Sequence, residues 1–259
     1  MTSTTERSPG SEEDRQTYVA DLLSSVEELS EAGDHRSALQ LLNRARTAFP
    51  PNAQVETARG WSLENLGPEH LGAAGDAYAE ALRLDPDVLA AREGLGNVLF
   101  GTGDKRGANQ LYREVIERVD GMTDAPADAL ELQGWCLYKL NDYGRAVEVL
   151  HTAVAKDGTL VAIRFDLGLA LLAKGEVGRA VAEYGAAIAQ LRALTPSRRI
   201  GALMVALEDL DAGIAGRPSV RRNYAATEMR SRLAWELSEA TAAKTSADPP
   251  ADPDLDTAG

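Results

Sequence analysis

The sequence holds a single cysteine, Cys136, so no disulfide can form within the chain. Small secreted scaffolds depend on several such bridges, and one thiol points instead to a reducing compartment. Aromatic residues are only 5% of the chain while hydrophobic residues reach 44%, so a core must be built mainly from Ala, Leu and Val. Runs of β-branched residues bounded by turn formers are missing, which argues against a sheet. No apolar stretch approaches the roughly 20 residues that cross a bilayer. The first ten residues also lack the apolar centre of a signal peptide. The expectation is a cytoplasmic chain with no membrane partner. Basic residues are the scarcer charge, 27 Lys and Arg against 40 Asp and Glu, giving a net charge of −13. That balance repels phosphate at long range, so nucleic acid is not the expected partner.

What is abundant favours helices, because Ala and Leu cost least to place in one. A period runs through the chain. Gly33-Asp34, Gly103-Asp104, Asn141-Asp142 and Gly175-Glu176 each stand four or five residues before an alanine, and a looser copy runs from Gly67 through Pro68. The anchoring alanines are Ala38, Ala74, Ala108, Ala146 and Ala180, spaced 36, 34, 38 and 34 apart. Gly96, Gly134 and Gly168 lie twelve residues before their alanines, Gly60 matches once the insertion is allowed for, and Leu63, Leu99, Leu137 and Leu171 follow three later. Four residues after the alanines come Leu42, Tyr78, Tyr112, Leu150 and Tyr184. Small residues let two helix axes approach, so the reading pairs Gly on a first helix with Ala on a second. Turn glycines close one helix in the left-handed conformation and the next polar residue caps its successor.

This pattern resembles the tetratricopeptide repeat, a helix-turn-helix unit of about 34 residues, and the resemblance covers residues 18–193. It implies an all-α fold: a right-handed α-solenoid of about five hairpins plus C-terminal capping helices. Val26 stands where the first copy lacks its glycine. The aromatic position near the start of each first helix holds Leu22, Glu56, Arg92, Leu130 and Arg164. The expected division is a disordered tail over 1–16, repeats over 17–193, capping helices over 194–243 and a disordered acidic tail over 244–259. In the caps, Ile200, Leu203, Leu207, Leu210 and Ile214 form one stripe, and Ala226, Met229, Leu233, Leu237 and Ala240 another. Val220, Tyr224 and Trp235 point away from that second stripe, which makes Tyr224 and Trp235 candidates for a further contact surface. Residues 192–232 also gather eight arginines against four acids, including Arg221 and Arg222.

No catalytic set emerges. His35, His70 and His151 are separated by the repeat, and Cys136 beside Trp135 reads as a packing residue. The Gly101–Gly107 segment looks like a phosphate loop but follows a helix, and the repeat explains its glycines. No enzyme, metal or cofactor is expected.

The resemblance implies that first helices line a concave surface. Residues three before, one after and four after each reference glycine then face it: Trp61, Asn97, Phe100, Glu131, Trp135, Tyr138, Phe165 and Leu169, with Thr57, Glu64, Glu93 and Leu172. The Lys/Arg/Asn clamp by which some relatives hold a peptide carboxylate is missing, since Leu23, Ala90 and Gly94 occupy the basic positions and only Asn97 fits. The expected partner is a peptide or amphipathic helix, apolar with some basic residues, held on aromatic side chains and rimmed by Glu27, Glu64, Glu93, Asp128 and Glu131. The chain is thus read as an adaptor or scaffold, of a kind that could serve as accessory to an enzyme or assembly encoded elsewhere. The alternatives are a structural protein that self-associates, as a homodimer, through the C-terminal helices, or a peptide-sensing regulator.

Overall fold

The computed structural model describes residues 12–221 and 223–247, which form helices and turns with no strand among them. Ten helices make five hairpins: α1 (Glu12–Glu31) with α2 (His35–Ala48), α3 (Ala53–Glu64) with α4 (Leu71–Leu84), α5 (Leu89–Gly101) with α6 (Lys105–Asp120), α7 (Ala127–Lys139) with α8 (Tyr143–Lys156), and α9 (Val161–Lys174) with α10 (Val177–Leu191). Three more helices follow: α11 (Pro196–Gly216), α12 (Pro218–Arg221) and α13 (Tyr224–Ala247). The α-solenoid expected from the sequence is the observed architecture.

The hairpin turns form as their residues dictate. Gly33, Gly103 and Gly175 take φ of 74°, 96° and 92°, and Asn141 takes the same left-handed turn at 65°. Asn is the side chain that tolerates that region best after Gly. Asp34, Asp104 and Asp142 then cap α2, α6 and α8 by accepting from the backbone N–H of Ser37, Gly107 and Arg145. The insertion at Pro68 becomes a single 3₁₀ turn, Pro68–His70, ahead of α4.

Inside each hairpin the close contact differs from the one expected. The first-helix glycine meets the residue four beyond the anchoring alanine, not the alanine itself. A Cβ on Gly60 would stand 2.6 Å from the Tyr78 ring, on Gly96 2.7 Å from Tyr112, on Gly134 2.4 Å from Leu150 and on Gly168 2.6 Å from Tyr184. The physical reason is size: a tyrosine ring, or Leu150 in the fourth hairpin, laid across the helix leaves no room for a Cβ beneath it. The anchoring alanines are fully buried deeper in the seam. Ions occupy the position near the start of three of the first helices, α3, α5 and α9. Glu56 is buried between Arg46 and Arg59, Arg92 is buried and reaches Glu114 at 3.1 Å, and Arg164 pairs with Glu183 at 2.9 Å.

Consecutive first helices touch along the array (α1 with α3, α3 with α5, α5 with α7, α7 with α9), whereas consecutive second helices keep apart. The array therefore curves with its first helices inside. It curls far enough for α11, packed on α9, to reach α1 as well. There Arg198 pairs with Glu31, and Gly201 lies so close to the Glu31 carbonyl that a Cβ would stand 2.1 Å from it.

The C-terminal helices differ from expectation in two details. The last helix is broken at Asn223, whose side chain caps Ala225 N–H, and Val220 is buried rather than pointing outward. The stripe of Ala226, Met229, Leu233 and Ala240 is buried as α13 returns along α11 and α10. At the N-terminus, α1 begins at Glu12, within the stretch read as a tail, because two glutamates in a first turn favour a helix start. The remainder of both proposed tails, residues 1–11 and 248–259, and Arg222 lie outside the described residues.

Candidate functional site

The tyrosines that pack the hairpins also shape the inner surface. Tyr78, flat against Gly60 on one side and Gly94 on the other, sends its hydroxyl inward to donate to Glu64 Oε2 at 2.8 Å. Tyr112, laid on Gly96, donates to Asn97 Oδ1 at 2.8 Å, and Asn97 Nδ2 donates to Glu93 Oε1 at 2.5 Å. Packing residues thus fix the orientation of groups lining the concavity.

The residues singled out in the sequence divide into an open and a closed set. Trp61 is 40% exposed, with its ring edge-on to His35, and Phe100 is 39% exposed. Trp135 is half-buried and stacks on Tyr138, their ring centres 5.4 Å apart. The Lys139 ammonium lies 4.5 Å from the centre of the Trp135 ring and 5.2 Å from that of Phe100. Asn97 and Glu131 are partly buried between these rings' helices.

Tyr138, Phe165 and Leu169 are not available to a partner in this conformation. All three are buried, and the chain itself helps to cover them. Gly213 of α11 faces Leu169 and the Tyr138 hydroxyl at distances where a Cβ would be only 3.0 and 3.1 Å away. Arg217, just beyond α11, stacks on Tyr138 at 4.4 Å, with Nη1 donating to the Tyr138 hydroxyl at 2.7 Å and Nε to the Tyr143 hydroxyl at 2.6 Å. Phe165 packs on Tyr184. The repeat pattern gave these residues the correct face of their helices. What it could not supply was the path of α11.

Five carboxyls line the concavity: Glu64, Glu93, Glu131 and Asp166 on successive first helices, and Asp209 on α11. Burial is the main cause that pushes each proton affinity up, to about 8 for Glu93, about 7 for Glu131 and about 6 for Asp209. Neighbouring acids add to the rise, while Lys139 opposes it at Glu64, Glu93, Asp166 and Asp209. Glu64 and Asp166 move in the same direction. Lys139, Asp166, Asp209 and Arg217 escaped the sequence reading. The first two sit one position off the groove-facing spacing, and the last two lie outside the repeats.

Elsewhere, Tyr224 is 81% and Trp235 56% exposed, eleven residues and hence three turns apart on one face of α13. The arginine-rich stretch is largely tied down. Arg192 and Arg199 meet buried Glu236, Arg198 meets Glu31, and Arg230 meets Asp211. Cys136 is buried, and among the described residues no three His, Cys, Asp or Glu side chains gather where a metal could bind. No helix there is long and apolar enough to cross a membrane.

Comparison with protein-family models finds the tetratricopeptide repeat, matched in four overlapping pieces over residues 25–88, 69–125, 93–160 and 132–197. No curated protein sequence matches. Among solved structures, similar chains include one from the APC/C hetero-tetramer Cut9–Hcn1 (13% identity, 87% of this chain and 46% of that one, TM-score 0.52). PilW, a type IV pilus biogenesis factor, is similar at 17% identity over 86% of this chain and 97% of its own, with a TM-score of 0.49. YrrB, described as having an unusual peptide-binding site, shares 23% identity over 69% and 92% of the two chains, with a TM-score of 0.38. At 13% identity the likeness to the Cut9–Hcn1 chain is one of fold alone.

Proposed function

Because the chain belongs to the tetratricopeptide repeat family, whose repeats serve as protein-interaction scaffolds, we propose that it is an adaptor that seats a partner polypeptide on the open part of its concave surface. Trp61, Asn97, Phe100 and Trp135 form the contact floor, and Glu131 with its neighbouring carboxyls draws basic residues of an apolar peptide or amphipathic helix. Leu169 stays beneath α11 and Phe165 stays packed on Tyr184, so neither takes part while that packing holds. One observation carries this reading: two large rings, Trp61 and Phe100, remain about two-fifths exposed inside a curved surface of a chain that has few aromatics. Rigid rings in concave sites are where binding energy concentrates.

The test is a paired capture. Polypeptides retained by the wild-type chain from an extract of its source cells are identified, then titrated against Trp61→Ala/Phe100→Ala protein that melts at the wild-type temperature. Loss of roughly 2 kcal/mol or more of binding, mainly through faster dissociation, is expected. Unaltered affinity would remove the concave surface as the site. A second reading, self-association, rests on the exposure of Tyr224 and Trp235 on one face of α13.

A further inference from the structure

The inside of the curve carries more negative charge than its own residues neutralise. Glu64, Glu93, Glu131, Asp166 and Asp209 crowd this surface, and Lys139 is the cation that answers all of them but Glu131. Yet Lys139 makes no ion pair with a described residue. Its ammonium rests on the faces of Trp135 and Phe100. Among the described residues Glu131, Asp166 and Asp209 have neither a hydrogen-bond nor an ion-pair partner. A partly buried carboxylate without a partner loses hydration and gets nothing back, so the folded chain is left with acceptor capacity that a donor cation would fill.

Ring faces complete the picture. The quadrupole of an aromatic ring attracts a cation, and this chain uses that attraction on itself with three cations, Lys105 among them at 5.8 Å from the centre of the Phe100 ring. Lys139 lies over Trp135 and Phe100, and Arg217 lies over Tyr138 while donating to two phenol oxygens. Trp61 and Phe100 nonetheless remain about two-fifths exposed.

We propose that the open basin between Phe100, Trp135, Glu93, Glu131 and Asp166 binds a cationic side chain, arginine or lysine, of the partner polypeptide. The proposal rests on the groove reading above and adds the chemistry that the groove selects. A consequence follows from the buried acids. With Glu93 titrating near 8, Glu131 near 7 and Asp209 near 6, the empty basin holds protons around neutrality. An arriving cation favours the ionised forms, protons leave, and binding tightens as pH rises through that range. The other groups facing the basin are the Tyr78, Tyr112, Tyr138 and Tyr184 hydroxyls, the Cys136 thiol, Asp128 and Lys139 from α7, Lys105 over Phe100, Glu208 from α11 and Arg217 beyond it. His35, nearer Trp61, has its proton affinity lowered by burial, with Asp34 opposing the shift.

The experiment uses the full chain with Trp235→Phe, so that Trp61 and Trp135 alone report in fluorescence. The probe is a short amphipathic peptide of Leu, Ala and Gln carrying one central Arg, compared at physiological salt with the same peptide carrying Gln there. Calorimetry is run in two buffers of different ionisation enthalpy, at mildly acidic and mildly alkaline pH. The Arg peptide is expected to bind roughly tenfold tighter than its Gln counterpart at alkaline pH, one good charge contact, with proton release. Its advantage should shrink at acidic pH and vanish in Glu93→Gln/Glu131→Gln protein. That pair of substitutions relieves like-charge repulsion, and a thermal melt confirms that it keeps the fold. If both peptides bind alike with a tryptophan response, cation selection is wrong while the groove reading stands. Binding of neither peptide overturns both. An Arg preference that survives in the double variant places charge recognition elsewhere and sinks the inference.

Discussion

Replacing Glu93 by Gln isolates the energetic effect of one buried acid. Glu93 is 8% exposed, accepts a hydrogen bond from Asn97, and has its titration lifted from the ordinary 4.5 to about 8 by burial first and by Glu64 next. A folded-state value above the unfolded one means that the native protein holds the proton more tightly. Its stabilising effect is therefore complete below the unfolded value and is lost as pH climbs toward 8. Each unit of difference corresponds to about 1.4 kcal/mol, which sets a ceiling of roughly 5 kcal/mol across the window. Water drawn toward the ionised carboxylate recovers part of that, so about 2 kcal/mol is the working expectation. Gln keeps the carbonyl that accepts from Asn97 and has no proton to lose. The variant should thus match wild type near the acid end of the window and exceed it by about 2 kcal/mol near the alkaline end. For a chain of this size that difference is roughly 4–8 °C in melting temperature. Calorimetric melts of both proteins across that range decide the matter. A difference that does not change with pH, or a variant less stable in alkali, would refute the assignment of Glu93 to a dry, acid-crowded surface.

Three further outcomes test the architecture. Gly134→Ala places a Cβ 2.4 Å from Leu150 and should lower stability by about 1–3 kcal/mol in a thermal melt; an unchanged melting temperature would contradict the hairpin contact. Gly201→Ala sets a Cβ against the Glu31 carbonyl, so α11 must lift from the first hairpin and amide exchange should quicken in the α1–α2 turn while α9 and α10 keep their protection. Uniform protection would mean that the contact across the curve does not form. Trp235→Glu should dissociate any dimer seen by sedimentation without unfolding the chain, since Trp235 is 56% exposed and outside the buried stripe; a wild-type protein that is monomeric at high concentration removes that surface from consideration.

The hairpins were legible because local rules and packing agree there. Turn Gly or Asn, the capping Asp and the small residues on facing helices recur at one spacing, and each has a steric reason that acts within some forty residues of chain. The partner of each glycine was misjudged, however, because spacing alone cannot say whether Tyr78 or Ala74 lies beneath Gly60. Which face of each first helix turns inward also followed from the period. The division of that face into open and closed halves did not. It depends on how far five hairpins curl, and so on whether α11 meets Glu31, a contact 170 residues apart in sequence. Nothing local announces it except Gly201, a small residue in a stripe that otherwise reads as apolar.

Packing and recognition are carried here by the same side chains, which constrains what the array can change. Tyr78 and Tyr112 fill the space over glycines and simultaneously hold Glu64 and Asn97 toward the concavity. A smaller residue at either position would leave a cavity in the hairpin and release a groove acceptor together. The acids, in turn, oppose folding at neutral pH, because their charge is poorly hydrated and Lys139 answers only part of it. A cation that binds the folded basin and not the unfolded chain must then raise stability in proportion to its occupancy, as any native-state ligand does. The rise should be largest where the carboxyls are ionised. Melting temperature measured against added cationic peptide is therefore a reading of the site itself, and its pH dependence distinguishes capture in the basin from loose attraction to the −13 surface, which screening by salt would erase.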